Sequence, residues 1–179
     1  MTTSGRIGMI VVLTIVLTSV AGPARSARDQ AETAAPRANG LQEAEVVAVA
    51  VDPRTQAPMI VLQGKRDKRN LAMAIGLAEA TGIALPLQNI TPPRPLTHDL
   101  FLTLFGRLKV TVNRVVINDM RDDIYYATVY LNSPGGEMVL DSRPSDAIAL
   151  AIRAKVPVLV EDRVWEKGGT QPAPRRPSI

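Results

Sequence analysis

The run 43–51 is rich in valine and is closed by Asp52-Pro53, which predicts a first strand. Residues 59–63 predict a second strand. The charged turn Gly64-Lys65-Arg66-Asp67-Lys68-Arg69 then leads into a third over 70–75. From Gly76 the period changes. Leu77, Ala80, Ile83, Ala84 and Leu87 recur at helical spacing, and Pro92-Pro93 ends that region. Thr97 is a good N-cap for a second helix, which carries Leu100, Leu104 and Leu108 on one side. Strands are predicted over 110–118 and 124–132, and Pro134-Gly135-Gly136 turns into another over 137–141. A helix starts at Ser145 and runs through Ala154, a last strand spans 157–161, and 162–167 forms a short final helix.

Hairpins and helices mixed in one order point to an α+β fold: a single compact domain with a mixed, mostly antiparallel sheet and three main helices. Residues 59–85 and 126–152 both read strand, polar turn, strand, helix, and their offset places Glu79-Ala80 on Asp146-Ala147. This suggests a duplicated strand–strand–helix unit.

The flanks read differently. Arg6, the apolar run 7–21, the break at Gly22-Pro23 and the small residues of Ala24-Arg25-Ser26-Ala27 have the order of a signal peptide over 1–26. An uncleaved N-terminal anchor is the alternative. With cleavage, the mature chain begins between about Arg25 and Arg28, is periplasmic or secreted, and keeps no stable membrane anchor. Residues 27–40 lack periodicity and read as a linker, 41–167 as the folded domain, and the Gly-, Pro- and Arg-containing segment 168–179 as a disordered tail.

Composition narrows the chemistry. Without cysteine, disulfide scaffolds, thiolate metal sites and cysteine nucleophiles are excluded, and one histidine excludes any multi-histidine centre. Aromatic residues are only 3%, too few for stacking platforms as the main hold on bases. The formal charge of +4 tolerates a polyanionic partner without demanding one.

Two polar segments stand beside predicted helix starts: Arg94-Pro95-Leu96-Thr97-His98-Asp99-Leu100 and Asp141-Ser142-Arg143-Pro144-Ser145-Asp146-Ala147. Each sets an arginine before a helix N-terminus and a carboxylate in its first turn, where free N–H groups and the helix dipole favour anions. Arg94 and Arg143 are therefore candidates to clamp phosphate with paired hydrogen bonds. Asp99, Asp141 and Asp146 could together offer hard oxygen ligands to Mg²⁺ or Mn²⁺. His98 is the default general acid or base, with Asp99 and Asp146 as its catalytic companions. Glu79, an acid in a mostly apolar helix, either pairs internally or faces a site. A second account fits the same residues, because Thr97, Asp99, Ser145 and Asp146 are also ordinary helix-start residues.

The chain resembles the bifunctional nuclease domain family. The matching residues are Ile75-Gly76 with Glu79-Ala80, the segment 94–100, and Asp141-Ser142-Arg143-Pro144-Ser145-Asp146-Ala147-Ile148-Ala149-Leu150. The resemblance covers about 44–165, and departs from the usual member in the export signal. It implies a compact α+β domain that commonly forms homo-oligomers, and a nuclease acting on DNA and RNA as substrates. A non-catalytic anion- or protein-binding domain of the same fold is the alternative.

Overall fold

In the computed structural model, residues 40–170 are described. The signal peptide expected over 1–26, most of the linker and most of the tail lie outside the described residues. Strands β1 (Leu41–Val51), β2 (Pro58–Gly64) and β3 (Asn70–Ala74) form an antiparallel meander, followed by α1 (Leu77–Leu87) and α2 (Thr97–Arg107). A second meander, β4 (Thr111–Arg121), β5 (Ile124–Ser133) and β6 (Gly136–Ser142), leads into α3 (Pro144–Ala154). The described chain ends with β7 (Val158–Glu161), α4 (Asp162–Gly168) and β8 (Gly169–Thr170). All eight strands lie in one open sheet of order β6-β5-β4-β7-β1-β2-β3-β8. β7 joins the meanders, parallel to β4 and antiparallel to β1. The fold is the expected α+β domain, and the order strand–strand–helix occurs twice, as β2-β3-α1 and β5-β6-α3.

The core lies between the sheet and α3, whose Ala147, Ile148, Ala149 and Ala151 are fully buried against Ile60, Leu62, Val115 and Ile117 among others. Small residues let α3 sit close to the strands, and its arginine-bearing ends reach past the apolar layer. Trp165 and Val164 of α4 fill the core beside β7 and β4.

Two expectations need correction. Residues 168–170, expected as the start of the tail, belong to regular elements: Gly168 completes α4, and Gly169 and Thr170 pair with Leu71 and Asn70 of β3. Thr97 is the first helical residue of α2 and not its cap. Leu96 holds the cap position in an extended conformation, and Asp99 Oδ2 accepts its N–H at 2.8 Å. The leucine stripe of α2 lies on one side, as expected, and that side faces outward, with Leu100 64%, Leu104 49% and Leu108 59% exposed. No residue of α2 is fully buried; Leu102 and Phe105 are the pair that packs on the core. His98, Leu102 and Phe105 share one face at helical spacing, so a polar residue and two apolar ones define the inward side.

Candidate active site

Each of the three long helices carries an acid at its third position: Glu79 in α1, Asp99 in α2 and Asp146 in α3. The first helical turn leaves backbone N–H groups unpaired, and the dipole there favours a carboxylate. Two arginines of the α3 segment answer these acids. Arg143, extended at the N-cap ahead of Pro144, donates from Nε to Asp146 Oδ2 at 2.7 Å and pairs through Nη2 with Glu79 Oε1 at 2.8 Å. On the other side of the carboxylate, Asp146 Oδ1 lies 3.1 Å from His98 Nε2. Glu79, Arg143, Asp146 and His98 are thus a continuous polar chain drawn from the starts of α1, α3 and α2.

Two glycines make room for it. A Cβ built on Gly76 would overlap Glu79 Oε2, and one built on Gly82 would lie 3.3 Å from both Nδ1 and Cε1 of His98. The imidazole is therefore set against the bare backbone of α1, with its side chain only 12% exposed. Arg143 is 65% exposed and forms the open end of the chain. It lines a cavity of about 420 Å³ with Met73, Ile75, Gly76, Tyr125 and Ser145. Burial, with the charge of Asp123 on the same cavity wall adding to it, pushes the Tyr125 phenol up.

Asp99 has a different setting. Besides the Leu96 N–H it accepts Arg153 Nε at 2.7 Å through Oδ1. Arg153 Nη1 donates to the carbonyl oxygens of Gly82 at 2.7 Å and Ala149 at 3.0 Å. Both residues line a second cavity, of about 470 Å³, together with Leu85, Pro86, Ile90 and Ile152.

The electrostatics follow these contacts. Burial raises the Asp146 carboxyl, but the hydrogen bonds and charge of Arg143 and His98 outweigh it and hold the group below the ordinary carboxylate range. Asp99 behaves alike: burial raises it, and Arg153 with the Leu96 N–H more than reverses the effect. Arg143 is pushed up, first by its hydrogen bond to Asp146 and then by that charge and Glu79.

The structure gathers His98, Asp146, Arg143 and Glu79 and separates the rest. Arg94 is exposed and forms no ion pair among the described residues. Asp141 is exposed on the edge strand β6 and likewise forms none among them. The Mg²⁺ or Mn²⁺ centre expected from Asp99, Asp141 and Asp146 does not fit this arrangement. The oxygens of Asp99 and Asp146 are committed to Arg153, Leu96, Arg143 and His98, and no group of three or more metal-ligating side chains assembles among the described residues. Asp99 is, through Arg153, part of a strut between α1, α2 and α3. Arg153 and Gly82 went unread in the sequence. The signal for Arg153 was its spacing, two helical turns after Asp146 on the same face of α3.

Residues 60–173 match the family model described as the bifunctional nuclease domain. An uncharacterized protein of Mycobacterium tuberculosis is 35% identical over 129 residues, 72% of this chain and 77% of that protein. Bifunctional nuclease 1 of Oryza sativa subsp. indica is 37% identical over 131 residues, covering 68% of this chain but only 39% of the rice protein. Bifunctional nuclease 1 of Arabidopsis thaliana is 28% identical over 108 residues, 58% of this chain and 33% of that protein. The model match spans well over half of the chain and contains the whole Glu79–Arg143–Asp146–His98 cluster, so the chain belongs to the bifunctional nuclease domain family.

Proposed function

We propose that this protein is a nuclease that hydrolyses phosphodiester bonds of DNA or RNA with little sequence preference. The observation that carries the reading is the joining of His98, Asp146, Arg143 and Glu79 from three helices, with Arg143 in the wall of an open cavity. Arg143 presents its exposed guanidinium edge to a phosphate oxygen, held in place by two carboxylates. Asp146 accepts at His98 Nε2 and fixes the orientation of the imidazole, the one side-chain type whose ordinary pKa lies near neutrality and so the candidate proton carrier. No step is assigned to a divalent ion, since Asp99 and Asp146 are engaged by arginines and Asp141 stands apart from them on β6.

The test is incubation of the purified chain with single- and double-stranded DNA and RNA, in Mg²⁺, Mn²⁺ or chelator. Cleavage by the parent that falls about 10²–10⁴-fold in His98→Gln and Asp146→Asn, with melting temperatures unchanged, supports the reading. The alternative, a non-catalytic anion- or protein-binding domain, draws on one observation: each of the three acids is already matched by an arginine, as an ion-paired helix start requires. Retained nucleic-acid binding without hydrolysis in any of these buffers would favour it.

Export and self-association complete the proposal. A signal peptide over 1–26 predicts that N-terminal sequencing of native protein starts between about Arg25 and Arg28. The outward stripe Leu100, Phe101, Leu104 and Leu108 is an apolar surface suited to a second copy. Light scattering that shows an oligomer in the parent and a smaller species in Leu104→Glu would support that interface.

A further inference from the structure

We infer that Arg153 is a positioning residue for His98, acting through Asp99 and Gly82 without touching the imidazole. The inference rests on the catalytic reading of His98, but its geometry stands apart from it. With no fully buried residue, α2 is located by its inward His98, Leu102 and Phe105 and by what holds its first turn. That turn is held by Arg153, whose side chain is 8% exposed. One guanidinium reaches three helices: Nε to Asp99 of α2, and Nη1 to Gly82 of α1 and Ala149 of α3. Gly82 is also the residue against which the His98 ring lies, and Asp99 is the next residue after His98. Arg153 thus sets the separation of α1 and α2 at the imidazole, and with it the 3.1 Å contact to Asp146. A lysine has one nitrogen and cannot reproduce a planar fork directed at three elements.

His98 is the only histidine in the chain, so its ring C–H signals in a proton NMR spectrum need no assignment. In Arg153→Lys and in Asp99→Asn we expect those signals to move from their parent positions. We also expect kcat on nucleic acid to fall tenfold or more with KM changed less than twofold, because the proposed phosphate contact is made by Arg143 and the Arg153 side chain is 8% exposed. Val164→Ala, a core truncation under α4, serves as the stability control. It should lower the melting temperature and leave the His98 signals and kcat in place. If Arg153→Lys fails to fold, Asp99→Asn carries the test. His98 signals identical to the parent in the folded variants would overturn the inference, as would a kcat loss matched by Val164→Ala. If the parent cleaves no nucleic acid, the catalytic reading fails while the NMR comparison still decides the positioning role.

Discussion

Arg143 is the side chain on which the catalytic and structural accounts divide. It is mostly exposed, and exposed ion pairs contribute about 0–1 kcal/mol, so its bonds to Glu79 and Asp146 add little stability. Arg143→Lys should therefore leave the melting temperature nearly unchanged. If the guanidinium clamps phosphate, the same substitution should remove about 2–4 kcal/mol of transition-state stabilisation, read as a fall in kcat/KM. A lowered melting temperature with full activity per folded molecule would return Arg143 to helix capping. The acids make a separate prediction. The Asp146 and Asp99 carboxyls are held below their ordinary range in the folded chain, so on acidification the unfolded chain takes up protons first. Their contribution is present in full above the unfolded value of about 4 and is lost as pH falls through the folded values. Thermal melts from pH 7 to pH 3 should be level down to about pH 5 and then decline. In Asp99→Asn the plateau should sit lower and the acid decline be shallower.

The elements show where pattern reading succeeds. The valine-rich run of β1, the short apolar run of β2 and the Pro-Gly-Gly turn before β6 all follow from local chemistry, and they appear where expected. The orientation of α2 does not, because two faces of that helix are apolar enough to pack. Leu100, Leu104 and Leu108 form the more regular stripe. The polar grip on Asp99 turns the other face inward, and no local pattern carries that information. β8 was hidden for a similar reason: two residues in a Gly-rich stretch become a strand only because β3 presents an open edge. Among the site residues, the two Arg-Pro segments were visible as helix starts, yet only one of their arginines joins the cluster. The orientation of α2 predicts unequal costs. Leu104→Ala should change the unfolding free energy by no more than about 0.5 kcal/mol, whereas Phe105→Ala should cost about 2–3 kcal/mol in chemical denaturation. Equal losses would mean that the stripe is packed after all.

At the scale of the whole molecule, the meander of β1, β2 and β3 and that of β4, β5 and β6 meet in the sheet only through β7. This is a four-residue strand, paired with Leu41–Ala44 on one side and Val115–Ile117 on the other. Its pairing partners precede it by more than a hundred residues for β1 and about forty for β4. A chain truncated after Lys155 should keep helical and strand signals in circular dichroism but lose a single cooperative melting transition, since the sheet then splits between β1 and β4. A truncation that still melted in one sharp step would show that helix packing alone unites the halves. The same geometry bears on how the chain is made. The facing edges of β1 and β4 stay unpaired until β7 has emerged, so early folding proceeds as two hairpin-rich halves with an open seam. Closure of that seam is a late, long-range event, and the interval before it is when misassembly between neighbouring nascent chains is most expected.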